Sequence, residues 1–389
     1  MALTTDGDGN ATVVNDDDIA FAASTVRGDL TATATTSHIT DSGTLTITGA
    51  AKFITTAAGS NIELDTSDNA FASEVTMQAG NGSNVAFGNI AFVDSEAVKL
   101  HTSAGTNGDL FIDANTDGVA AVGGSLSITA TSGNITQSLP VTVGTTSSFT
   151  TSANNTTITL SNTSNAFTGA LTITTNDDSN DRSYATIDGG TTALIIATST
   201  IDGDLTLTSG HASGITDTGN VTVAGNLIAT TDANSGVIDM GTLRVDGTMA
   251  LTTDGDGNAT VVNDTLLDFA NSTVRGNLVA TATTGNIIDT GVLTISGTST
   301  FTTSQSNDDI TLGSVNVLTG AVALNTSGST GHAVVDNGTT ALIIAASSVG
   351  GDLTLTSGAA AGITDSGNVT VTGNLIATTD ANSGVIDMG

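Results

Sequence analysis

Twenty-three residues, GNVTVAGNLIATTDANSGVIDMG at Gly219–Gly241, return at Gly367–Gly389 with one change, Thr372 for Ala224. Near-identity over that length within one chain marks duplication. The fold must therefore be one in which repeated units bury their apolar faces against one another. Met1–Asp16 likewise recurs unchanged as Met249–Asp264. Met1 thus corresponds to an internal position, and the expectation is a slice of a longer repetitive protein.

Residues 249–389 align with the rest of the chain twice, to Met1–Leu64 at an offset of 248 and to Gly190–Gly241 at an offset of 148. Two modules are expected, 1–248 with extra turns inserted at about 65–160, and a shorter 249–389, wound as one continuous β-helix. The insert is itself repetitive, because Leu126–Leu160 echoes Leu30–Leu64 at an offset of 96. One motif starts at Leu30, Leu126, Leu205, Leu278 and Leu353: Leu-x-x-x, a Gly/Ser-rich gap, Ile-x-[DQ]-[ST], then a short alternating run such as LTITG.

Each run, LTIT, VTVA or LTLT, puts aliphatic residues on one face and Thr on the other, the period of a half-buried strand. Runs this short, bounded by Gly, Asn, Asp and Ser, cannot bury a face alone. Stacking each on its equivalent one turn later solves this and pairs the backbone between turns. The series Leu30, Phe53, Val75, Val98, Leu126, Phe149 and Ile39, Ile62, Val85, Leu110, Ile135, Ile158 step by roughly one turn. A third, less regular, runs Leu45, Phe71, Ala91, Val119, Val141, Phe167. The spacing predicts an all-β parallel solenoid of three short strands and about 24 residues per turn. Pro140 is the only proline, as a chain that uses nearly every strand N–H requires.

Composition narrows function. The chain has no Cys, so neither a disulfide framework nor a thiolate metal site is available. Its net charge of −32, from 38 acidic and 6 basic residues, repels nucleic acid and anionic lipid. The longest aliphatic run, ALIIA at Ala193–Ala197, is far too short to span a membrane. Carbohydrate lyases on β-helices need clustered acids with Arg or Lys and aromatic platforms. Here Lys52, Lys99, Arg27, Arg182, Arg244, Arg275 and the single Tyr184 are dispersed, and no enzyme is expected. Arg27 and Arg275 occupy equivalent STVRG segments, which suits structure. His38, His101, His211 and His332 are read as surface or turn residues.

Calcium is the one cofactor the residues suggest. Asp113, Asn115 and Asp117 open a D-x-[DN]-x-[DN]-G loop whose twelfth position is Gly124 rather than an acid. Asp6, Asp8 and Asn10, repeated as Asp254, Asp256 and Asn258, form a second oxygen-rich cluster. For both, an Asp/Gly/Asn turn without an ion is the competing reading. Ice binding by outward Thr ladders is set aside, because the turns after Leu30, Phe53, Val75 and Val98 do not keep the Thr. A binding loop is sought in Thr175–Gly190, which carries Arg182 and Tyr184.

The phrases GNLxxTxTxGxIxDTGxLTIxG, GDLTLTSG followed by GITDTGNVTVAGNL, and NAFTGALTITTN resemble the repeats of very large bacterial surface proteins, similar to filamentous haemagglutinins and other two-partner-secreted or autotransporter adhesins. The resemblance spans the chain and implies a right-handed parallel β-helix serving as a stalk or fibre. The expected function is a structural segment of an extracellular, cell-surface adhesin or fibre. Its partners would be itself, end to end or laterally, and a host or neighbouring-cell surface. A calcium-binding or receptor- or carbohydrate-binding adhesin module is the alternative.

Overall fold

The computed structural model describes residues 1–80, 88–101, 109–112, 120–176, 183–380 and 384–389. Two compact units make up the chain, Met1–Gly203 and Asp204–Gly389. Among the described residues the regular elements are β-strands throughout, and the chain in each unit winds as a β-solenoid of parallel stacked coils. There are about 15 coils of about 22 residues, slightly tighter than the 24 expected. Some coils are shorter still: Ala11 stacks on Leu30, and Leu30 on Ala51. No helix among the described residues is long and apolar enough to cross a membrane.

Among the described residues most coils have two kinds of side, Ile238–Val245 being one unsplit strand stacked on two short ones. One kind is a single strand of four or more residues, such as Leu278–Ala282 or Ser299–Ser306. The other is split by a bend into two short strands, such as Ile287–Asp289 with Leu293–Ile295. The three strands per turn expected from the sequence are these. Alternation sets what faces inward: Leu205, Leu207 and Ser209 of Leu205–Ser209 are buried, while Thr206 and Thr208 lie between them on the outer face. Thr and the other β-branched residues suit that half-exposed pleat. The bore is filled by Leu, Ile, Val, Ala and Phe at close to zero exposure. Within the first unit Phe21, Phe53 and Phe71 run edge to face, with centroids 6.2 Å apart at each step. In the second unit Phe269 and Phe301 repeat the contact at 6.3 Å. Trp is too large for such a bore, and the sequence has none.

The hydrophobic series read from the sequence hold in part. Ile39 does stack on Ile62, and Ile135 on Ile158. Val98, however, stacks on Ile135, and Leu126 on Ile90, so the series Val75, Val98, Leu126 passes from one side of the coil to the other. Val75 is instead in register with Leu110. The cause is visible in complete form in the second unit. There the single strand Thr248–Thr252 is followed directly by another, Ala259–Asn263, with no split side between. Two single sides in succession turn the pattern by half a coil. Thereafter a split side lies over a single one: Met249 pairs Phe269, and Thr252 pairs Thr273. Val322–Ser327 followed by Ala333–Asp336 does the same, and so does Leu171–Thr174 followed by Ala185–Asp188 in the first unit.

Candidate functional site

Within each unit, polar side chains among the described residues form runs of bonds that fasten one coil to the next. Residues immediately before a strand accept the backbone N–H of their equivalent one coil on. In the second unit Asn286 Oδ1 accepts from Asp309 N (2.8 Å), Asp309 Oδ1 from His332 N (2.7 Å), His332 Nδ1 from Asp352 N (2.9 Å) and Asp352 Oδ1 from Asn374 N (2.6 Å). In the first, Asp18 Oδ1 accepts from His38 N, His38 Nδ1 from Asn61 N and Asn61 Oδ1 from Asn89 N, at 2.9–3.1 Å. His38 and His332 therefore act as acceptors through Nδ1 in place of Asn. His211 serves within a turn, its Nδ1 accepting from Ser213 N.

The acid of the Ile-x-[DQ]-[ST] motif is a second fastener. Asp217 accepts from Gly241 N (2.9 Å) and, through its other oxygen, from Thr242 N (2.7 Å). Asp289 accepts from Gly313 N (2.8 Å) and Asn316 Nδ2 (2.7 Å). Asp41 and Asp365 accept from Asp65 N and Gly389 N in the same way, and Gln137 from Asn165 Nδ2. Burial raises the Asp289 carboxyl above its usual range, against the lowering effect of these donors. A carboxylate on one methylene reaches the turn above without extra rotamers to freeze, which accounts for Asp rather than Glu at these positions.

The half-coil turns need special hardware. A straight single strand advances three residues, Val322 to Asn325, while the split side above advances four, Ile344 to Ser348. The N–H of Leu324 in between is taken by Ser347 Oγ (3.0 Å), which also donates to Ala345 O (2.9 Å). Ser24, Ser199 and Ser272 accept from Leu3, Ile173 and Leu251, each at 3.0 Å, and donate to Ala22, Ala197 and Ala270. A Thr in the coil beneath completes each joint. Thr5, Thr175, Thr253 and Thr326 Oγ1 accept the N–H of Arg27, Asp202, Arg275 and Gly350. The sequence signature is A-x-S-[ST]-[VI]-x-G, at Ala22, Ala197, Ala270 and Ala345. Arg27 and Arg275 contribute their backbone N–H at this joint, which explains the structural look of STVRG.

The suggested calcium ligands sit as follows. Asp113, Asn115 and Asp117 lie outside the described residues. Asp254 and Asp256 belong to a tight turn, closed by Gly257 N to Asp254 O (2.9 Å), with Gly255 at φ +55°. Asn258 Oδ1 is engaged with Asn277 N (2.7 Å), and Asn10 Oδ1 with Asp29 N (2.7 Å), both as fasteners before a strand. Asp6 Oδ1 accepts from Gly7 N (2.9 Å), and Asp8 lies in the same turn. Among the described residues no three His, Asp or Glu side chains converge at metal-binding spacing. Arg182 of the Thr175–Gly190 segment is outside the described residues, and Tyr184 is 42% exposed. Arg244 pairs with Asp246 at 3.4 Å on the surface.

Residues 8–78, 105–174, 256–325 and 330–388 match the model of a family described as repeats of unknown function (DUF5649), more than half of the chain. The chain belongs to this family. No curated protein and no solved structure matches it. The DUF5649 repeat at 256–325 begins just before Ala259–Asn263 and ends within Val322–Ser327, and the next begins just before Ala333–Asp336. Its boundary is thus the point where two single strands follow one another. Between those limits lie four single strands, at Ala259, Leu278, Ser299 and Val322, and three split sides, starting at Leu267, Ile287 and Ile310. The repeat matched at 256–325 is therefore seven half-coils.

Proposed function

We propose that this chain is a rod segment of an extracellular bacterial surface protein, an adhesin stalk or fibre of the filamentous-haemagglutinin kind, with mechanical rather than enzymatic work. The observation that carries the reading is the unbroken run of coil-to-coil fasteners, Asn286, Asp309, His332, Asp352 and Asn374, beside a largely apolar bore. Among the described residues, Asn286, Asp309, His332, Asp352, Asp217 and Asp289 hold coils in register. A protein built this way gains length by adding repeats and stiffness from nearest-neighbour coil contacts. The acidic outer surface keeps such a particle dispersed and disfavours nucleic acid and anionic membranes. Its natural partners are neighbouring repeats of the same kind, since a coil end offers unpaired backbone groups.

The test is dimensional. Inserting a second copy of 256–388 adds about six coils at about 22 residues each. At roughly 4.8 Å per coil the particle should lengthen by about 30 Å at constant width in electron microscopy or small-angle scattering. A particle that grows in width, or not at all, refutes the spacer reading. Accessibility of the chain to protease added outside intact cells tests the surface assignment, and full protection there would overturn it.

A further inference from the structure

Single strands that lie over a split side need a corner residue that turns back onto the coil beneath. Asn263, 1% exposed, does this with three bonds: its Oδ1 accepts from Val245 N (2.8 Å), and its Nδ2 donates to the carbonyls of Val245 (3.1 Å) and Leu266 (2.8 Å). Asn337 repeats the arrangement on Leu318 N (2.7 Å), Leu318 O (3.0 Å) and Ala341 O (2.9 Å). At the end of Ile90–Asp94, which lies over Ile62–Leu64, the corner residue is Asp94. It is 2% exposed, and its Oδ1 accepts from Phe71 N (3.3 Å) and Glu96 N (3.4 Å). The acceptor half of the Asn pattern is kept, but an ionised Asp has no donor for the carbonyls that Asn263 and Asn337 satisfy.

We propose that Asp94 occupies this corner as the neutral acid, its O–H donated to the Phe71 carbonyl as Asn263 donates to Val245, so that the joint between these coils is set by pH: tight in acid, loosened when the proton leaves. The surroundings favour the proton. Glu96 lies two residues on, Glu63 is on the strand beneath, and Asp68 is in the turn before Ala70–Phe71; the strand above, Leu126–Ala130, brings no charge. Burial raises the Asp94 carboxyl from 3.8 to about 6, opposed by the amides of Phe71, Glu96 and Ser95 and assisted by the Glu96 charge. The folded chain therefore holds the proton where the unfolded chain has released it. The joint has its full strength below about pH 4, weakens between about pH 4 and pH 6, and stays weak above. The change in its opening equilibrium is on the order of a hundredfold.

Hydrogen exchange at the Phe71 amide of the full chain, corrected for intrinsic rates, reads this directly. Wild type should lose about a hundredfold in protection from pH 4 to pH 7 relative to Asp94→Asn, and the variant should be the better protected at pH 7. A variant that follows the wild-type course, or is less protected at pH 7, overturns the proposal. The carboxyl carbon of Asp94 in the unaltered protein gives a second readout, independent of the variant's folding. It should titrate near pH 6, and titration near pH 4 refutes the neutral-acid corner.

Discussion

Replacing Ser347 by Ala isolates the joint where a split side lies over a straight strand. The side chain is 6% exposed, and Leu324, whose N–H it accepts at 3.0 Å, is fully buried. Ala fits the space but leaves that N–H without its acceptor and the Ala345 carbonyl without its O–H donor. An orphaned buried donor costs about 1–3 kcal/mol, and a lost neutral hydrogen bond about 0.5–1.5 kcal/mol. The joint should therefore weaken by about 2–4 kcal/mol. Because coils touch only their neighbours, the loss should be local. Native-state hydrogen exchange should show Leu324 opening about thirty- to a thousandfold faster, with little change in distant coils, at about 1.4 kcal/mol per tenfold. Ser348→Ala, one residue on at an exposed position, is the control and should be silent. Unchanged exchange at Leu324, or an equal effect from the control, would refute the claim that Ser347 absorbs the one-residue mismatch.

Asn337→Ala strips one N–H and two carbonyls of their partners in a fully buried corner, and denaturation should show a loss of about 3–5 kcal/mol. Phe301→Ala removes the ring that meets Phe269 edge to face and should cost about 3–5 kcal/mol in the same assay, with Phe301→Leu costing less than half of that. Asn258→Ala should cost about 1 kcal/mol by removing the acceptor of Asn277 N–H, equally with and without calcium. A calcium-dependent difference in melting would instead make Asp254, Asp256 and Asn258 an ion site.

The solenoid itself was legible because alternation in runs such as LTLTS has one physical outcome when the runs are short and repeated. The half-coil turns were not. A series of inward aliphatic residues reads the same whether it continues on one side or passes to the other, so Val75, Val98 and Leu126 looked like one column. The signal that separates them is polar: Ser199, Ser272 and Ser347 in A-x-S-[ST]-[VI]-x-G, and the corner Asn263 and Asn337. These were masked by the abundance of Ser and Asn in the whole chain. Asp254–Asn258 carries a similar ambiguity in sequence. Asp and Asn that close turns and accept amides have the residue types of a chelating loop, and the distances add that Asn258 Oδ1 accepts from Asn277 N.

An odd count of half-coils has a consequence for how such genes can change. Within the second unit, losing or gaining one seven-half-coil repeat such as 256–325 would shift the coils that follow by half a turn, whereas losing or gaining two would restore them. Recombination between near-identical segments, such as Met1–Asp16 and Met249–Asp264, then does more than alter reach. Parity of copy number becomes a heritable setting of which flank a distant feature presents, changed by unequal crossing-over without altering a single residue of that feature.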